Sequence, residues 1–341
     1  MSVAQRAGQL IWAGLDTNAS ASSLSSQIRS QHLGGVVLLG GWSGSAKVSA
    51  ATKELQAMAG PTSTAGLALF VSADQEGGEV QQLRGSGFTV MPSARSQDAL
   101  TPTQLTTAAT GWGRELSRSG VNVNLAPVAD TVPASLGTGN GPIGRYGREF
   151  SSDPADNARM VAGFVRGMHA GQVAATVKHF PGLGRIRNNT DFFSTGITDA
   201  TTTSTDPYLQ PFAAGIGAGV DFVMVGSAIY SRIDPGVNAV FSHAIVTGIL
   251  RQRLRFSGVV VSDDVGSAKA VSGTPVGERA TKFVAAGGDV VLTANPALVP
   301  TMAAALVDRA KAEPAFDRML TASATRVVTL KAARGLAPMC R

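Results

Sequence analysis

Short runs of apolar, often β-branched residues recur along the whole chain, and most close on a polar residue or a glycine. Eight stand out, at residues 10–15, 36–40, 67–74, 121–126, 174–179, 222–227, 259–263 and 290–293. They lack the polar alternation of a half-exposed strand, which predicts strands buried on both faces, as in a parallel sheet covered by helices. The stretches between them are long enough for helices. The clearest starts at Asp153-Pro154, a capping residue followed by a first-turn proline. Met160, Val161, Phe164, Val165 and Met168 then recur at helical spacing, and the methionines read as core packing. Eight strand–helix units predict an α/β fold, a (β/α)8 TIM-type barrel forming one domain over residues 1–341. An open doubly wound sheet is disfavoured, because no Gly-rich phosphate turn follows Leu15 or Gly40. The Gly-rich stretch 135–147 and the Thr-rich stretch 195–205 both follow predicted strands and read as long βα loops.

The barrel predicts catalytic groups at the C-terminal tips of several strands, and ionisable residues collect there. The third strand ends in Asp74-Gln75-Glu76-Gly77-Gly78 and the fourth runs on to Asp130. The fifth ends in Lys178-His179, the sixth in Ser227 and the seventh in Ser262-Asp263-Asp264. A lone carboxylate after a strand is often a helix cap, so the weight lies on the constellation.

Composition narrows the partners. Apolar residues make up 44% and charged residues 15% of the 341 positions, enough for a large core and far from the charge excess of a disordered chain. The net charge of +6 arises from scattered Lys and Arg with no run of five, so no nucleic-acid partner is expected, only a mild attraction to anionic polymers such as a cell envelope. Cys340 is the one cysteine, which excludes an intramolecular disulfide and a cysteine metal cluster. No metal or organic cofactor is expected: His32, His169 and His243 lie in predicted helical or connecting segments without ligand spacing. No apolar run approaches the roughly 18 residues of a membrane helix, and Met1 leads into Ala4-Gln5-Arg6-Ala7-Gly8 without a charged-then-apolar leader. A soluble, monomeric chain is expected. Its low charge and its many Ser, Thr, Ala and Gly residues suit an exported or envelope-associated protein whose signal has been removed.

Five segments carry a family resemblance. Asp74-Gln75-Glu76-Gly77-Gly78, Asn124-Leu125-Ala126-Pro127-Val128-Ala129-Asp130, Arg148-Glu149-Phe150-Ser151-Ser152-Asp153-Pro154, Lys178-His179-Phe180-Pro181-Gly182-Leu183-Gly184 and Gly258-Val259-Val260-Val261-Ser262-Asp263-Asp264 occur in this order. Together they resemble glycoside hydrolase family 3, in particular its single-domain bacterial β-N-acetylglucosaminidases. The resemblance implies a retaining hydrolase that releases terminal β-linked N-acetylglucosamine from peptidoglycan fragments or related glycans. It also implies Asp263 as nucleophile, and Asp74, Arg148, Lys178 and His179 as groups that hold the sugar. Asp264, on the opposite side of the strand from Asp263, is expected to face away from the pocket and serve the structure.

Two departures from the family pattern bear on the site. An arginine expected shortly after the Asp-Gln-Glu-Gly-Gly stretch is replaced by Gln82, and Arg84 two residues on is the candidate substitute. The family's proton-handling histidine, from an Asp-Ser-His sequence after the Lys-His motif, is missing. The loop here reads Gly184-Arg185-Ile186-Arg187-Asn188-Asn189-Thr190-Asp191-Phe192-Phe193, and Asp191 is its only carboxylate. Two mechanisms stay open: Asp191 acts as general acid/base, or proton transfer is impaired and the protein is a catalytically weak or silent sugar binder. A third class, a Schiff-base aldolase using Lys178, requires a desolvated, neutral lysine.

Overall fold

A computed structural model describes residues 1–337; Cys340 lies outside them. Eight strands form one closed parallel barrel: β1 (Ile11–Asp16), β2 (Gly35–Leu39), β3 (Phe70–Ala73), β4 (Val123–Asn124), β5 (Ala174–Phe180), β6 (Phe222–Val225), β7 (Val259–Asp264) and β8 (Val290–Thr293). They follow one another around the barrel in chain order, and β8 closes on β1 with Trp12 opposite Leu292. Each of the eight predicted runs overlaps one of these strands.

The runs at 67–74 and 121–126 are much longer than the strands within them, because side chains replace backbone partners. Around β4, Asn122 Oδ1 accepts from Val71 N at 2.9 Å and Asn124 Oδ1 from Gln75 N at 3.1 Å, so these amides extend the junction with β3 beyond its ladder. Pro127, which has no N–H to give, follows directly. Ahead of β3, Gln56 takes both the N–H and the C=O of Leu69 at 2.9 Å. Helix Pro154–Ala170 begins as the sequence predicts, with Asp153 Oδ1 accepting from Ala155 N at 2.7 Å and Asp156 N at 3.1 Å. Its Met160 and Met168 are buried core residues.

The N-terminal end of the barrel is filled by aromatics. Trp12 of β1, Phe70 of β3 and Phe222 of β6 come from non-adjacent strands yet meet with ring centroids 5.3–5.4 Å apart, which places them inside the barrel. Lys331, from the last helix Pro314–Ala333, sits against this plug 5.2 Å from the Phe70 ring. Its ammonium donates to Gln9 Oε1 at 2.7 Å and Gly34 O at 2.8 Å and is wholly buried. No carboxylate accompanies it in these bonds, so dehydration pulls its pKa from 10.5 down to about 7. With this end packed, a cavity is left to the opposite end.

The unfolded chain keeps the Lys331 proton up to 10.5, whereas the folded chain releases it near 7. Between those limits the unfolded state binds more protons, so stability rises with pH. Urea unfolding from pH 7 to 10 should show that rise in the native chain and a flatter profile in Lys331→Met.

Candidate active site

A cavity of about 420 Å³ opens at the C-terminal ends of the strands. Its floor is apolar, with Val37, Leu39, Leu125, Met224 and Leu292 from four strands or their continuations. Asp74, Arg148, Lys178, His179, Asp191 and Asp263 all border it, so the structure brings six of the seven residues singled out in the sequence to one place.

One wall is a lattice of buried charges. Lys178 Nζ lies 2.5 Å from Asp74 Oδ1 and 2.6 Å from Glu76 Oε1. Arg148 grips Glu76 through two bonds, Nε to Oε2 at 2.8 Å and Nη2 to Oε1 at 2.7 Å, a fork geometry that fixes the guanidinium plane. The guanidinium also lies 3.5 Å from His179 Nε2, and His179 Nδ1 lies 2.7 Å from Asp130 Oδ2. Asp130 is completely buried and accepts from Leu183 N at 2.7 Å, tying the histidine to the start of the next loop. Lys178 and His179 are consecutive on β5, where side chains should face opposite ways. Here the pairing with β6 slips: Val177 faces Val223 while Phe180 faces Val225, and the extra residue lets both polar side chains border the cavity.

Charge compensation sets the protonation states of this wall. Dehydration alone would discharge Lys178, but the carboxylates of Asp74 and Glu76 outweigh it and hold the amine above its ordinary value. Dehydration likewise opposes ionisation of Glu76, yet Arg148 and then Lys178 bring it down to about 2. Arg148 is held protonated by Glu76 against its own burial. These are permanently charged donors. A lysine kept cationic is the wrong nucleophile for a Schiff base, which removes the aldolase reading.

Asp263, the penultimate residue of β7, borders the cavity, with its Oδ1 accepting from Asp264 N at 2.9 Å. Asp264 only partly meets expectation: its Oδ1 accepts from Gly266 N at 2.8 Å, Ala294 N at 3.1 Å and Ser267 N at 3.2 Å, a structural role, but the residue also borders the cavity. Asp191 reaches the cavity from the loop after β5. Gly184, on that loop, passes so close to the preceding βα loop that an added Cβ would lie 1.8 Å from Thr131 O. The loop's far end is tied to the segment after β7, with Lys269 N and Ala270 N donating to Asp191 O and Thr190 O at 3.0 Å.

Partial dehydration, then repulsion from Asp263, push the Asp191 carboxyl up to about 6; His179 and Arg148 pull the other way. The residue keeps solvent access at the open mouth, which limits the dehydration, so the facing carboxylate is the cause that persists. The site thus pairs a carboxyl that retains its proton toward neutrality with a second, nearby carboxyl. Pairs of this kind divide acid and nucleophile roles between chemically similar groups.

Arg84 is the residue the structure does not bring in. It lies exposed outside the cavity lining, and its guanidinium folds back onto its own hairpin, to Gln81 O at 2.7 Å and Glu79 O at 3.1 Å. Gln82 is also occupied locally, accepting from Gly41 N at 3.0 Å. Ser227 is buried and away from the cavity lining. Conversely, Glu76 and Asp130 carry the lattice although the sequence reading gave neither a role. The signal for Glu76 was its spacing, two residues from Asp74 and therefore on the same face of an extended chain. Tyr146 and Phe192, which line the mouth, gave no comparable signal. His169 and His32 serve the structure, the first against Asp221 at 2.8 Å and the second against Ser63 O at 2.7 Å. Among the described residues no cluster of His, Cys, Asp and Glu has the geometry of a metal site, and no helix is long and apolar enough to cross a membrane.

Fixed cationic donors sharing a cavity with two carboxyls, one of them raised toward neutrality, suit an enzyme that grips hydroxyl groups while breaking an acetal bond. Residues 2–330 match the model for the glycosyl hydrolase family 3 N-terminal domain. A beta-hexosaminidase from Stenotrophomonas maltophilia (strain R551-3) is 39% identical over 237 residues, covering 67% of this chain and 68% of the relative. The crystal structure of a beta-N-acetylhexosaminidase from Beutenbergia cavernae DSM 12333 superposes with a TM-score of 0.95 at 43% identity, covering 97% of this chain and 99% of that one. A family 3 beta-N-acetylglucosaminidase from Paenibacillus sp. str. FPU-7 aligns with a TM-score of 0.87 at 28% identity, over 100% of this chain and 64% of that one. The chain belongs to glycosyl hydrolase family 3, and it is a glycoside hydrolase.

Glu76→Gln would leave Lys178 and Arg148 with one buried anion fewer. Breaking a buried ion pair costs roughly 3–5 kcal/mol, and a urea unfolding curve should register a loss of that order.

Proposed function

We propose that the protein releases terminal β-linked N-acetylglucosamine, with retention of configuration, from peptidoglycan-type or related glycans. The observation that carries this reading is the pairing of Asp191, raised to about 6, with Asp263 across one cavity from the charged wall. In the first step the Asp191 carboxyl gives its proton to the glycosidic oxygen. Asp263 attacks the anomeric carbon, the bond to the leaving group breaks, and a glycosyl ester forms. In the second step the Asp191 carboxylate takes a proton from water, the water oxygen attacks the same carbon, and the ester bond breaks to restore Asp263. Asp74, Arg148, Lys178 and His179 hold the sugar hydroxyls and the N-acetyl group. The preference for an N-acetylated sugar is supported by the resemblance and by the names of the relatives. The raised carboxyl of Asp191 supports turnover over a silent sugar binder, since it supplies a proton donor where the family histidine is missing.

The direct test is turnover of an aryl β-N-acetylglucosaminide. Native enzyme should cleave it and Asp263→Ala should be slower by several orders of magnitude; equal rates would end the nucleophile assignment.

The acid role fixes a pH dependence. Because Asp191 must be protonated to act and its pKa is raised to about 6, kcat/KM should fall as pH rises through that value. Asp191→Asn should remove this limb and slow substrates with poor leaving groups by roughly 10² to 10⁴-fold, with less effect on good ones.

A further inference from the structure

Phe192 is 71% exposed and borders the cavity mouth, one residue beyond Asp191. A single exposed phenylalanine needs no explanation; this one is held by a pinned backbone. Asp191 N donates to Asn189 Oδ1 at 2.9 Å, Phe192 N to Asn189 O at 3.1 Å and Asn188 Nδ2 to Thr195 O at 2.9 Å. The ties from Lys269 and Ala270 secure the same turn to the loop after β7. Phe193, its neighbour, is 47% exposed and lies outside the cavity lining. Val80 and Tyr146 also line the cavity, so its rim carries apolar groups besides Phe192, together with the carboxylate of Glu79.

Position assigns the rim a role. The charged wall grips the sugar that is cleaved off, and Asp191 addresses the oxygen that joins it to the rest of the substrate. A ring displayed just beyond Asp191 therefore meets whatever is attached on the far side of that oxygen. We infer that Phe192 is a platform for the pyranose ring of the leaving group, so that a second sugar rather than a small alcohol is the preferred leaving group. A pyranose face presents C–H groups, and covering them with an aromatic ring removes apolar area from water on both partners. The inference rests on the hydrolysis of β-N-acetylglucosaminides proposed above.

The test compares kcat/KM for diacetylchitobiose, whose leaving group is a sugar, with that for methyl β-N-acetylglucosaminide, whose leaving group has no ring. The ratio of the two is read on one preparation, so losses in folding cancel. In Phe192→Ala the ratio should fall about tenfold, the scale of one aromatic contact. Phe192→Trp should retain the ratio, and Phe193→Ala should leave both values as in the native chain. An unchanged ratio in Phe192→Ala, or an equal fall in Phe193→Ala, overturns the platform while leaving the hydrolase reading intact. Native enzyme that cleaves neither substrate overturns both.

Discussion

Four charged side chains, Lys178 and Glu76 buried and Arg148 and Asp74 partly so, build one wall of the cavity, and their mutual compensation is the constraint on which the site depends. Lys178 is held between Asp74 and Glu76, and Glu76 in turn is held by the fork of Arg148. Removing Glu76 takes the carboxylate from Arg148 and leaves Lys178 with one anion fewer, which is why such lattices are fragile at their shared members even where they add little net stability. In exchange the site gains donors that cannot lose their protons and cannot turn. Each remaining N–H that faces the cavity is ready to meet a hydroxyl without reorganisation.

The same reasoning explains why the Asp191 carboxyl behaves differently from that of Glu76 in the wall. Glu76 is surrounded by cations and stays ionised. Asp191 faces another carboxylate at a partly dehydrated edge, and its proton is retained toward neutrality. Dehydration and charged neighbours, rather than residue type, set the Asp191 and Glu76 carboxyls of one cavity apart. The loop that carries Asp191 is bonded to the segment following β7, which ties the proposed proton donor to the strand of the proposed nucleophile.

The barrel was legible in the sequence because buried parallel strands announce themselves as uninterrupted apolar runs. Strand lengths were less so: the side chains of Gln56, Asn122 and Asn124 take up backbone bonding around β3 and β4, a substitution that no hydrophobic pattern records. Within the site, residues at strand tips were found and residues on loops were harder to place. Arg84 is two residues from the expected arginine, but its own hairpin offers carbonyls that hold the guanidinium away from the cavity. Asp130 was seen as a polar strand end, yet its bond to His179 depends on how the segment after β4 meets β5. The slip between β5 and β6 that turns both Lys178 and His179 inward is a tertiary feature, and period-two alternation predicts its opposite.

The central claim is that the carboxylate at the tip of β7 becomes covalently bound to the sugar. A mechanism-based fluorosugar that accumulates the glycosyl-enzyme, followed by peptide mapping, reads this directly. The account predicts one added sugar mass on the peptide that contains Asp263 and none on the peptide that contains Asp191. A label on Asp191, or active turnover of the reagent with the enzyme never carrying a sugar, would contradict it.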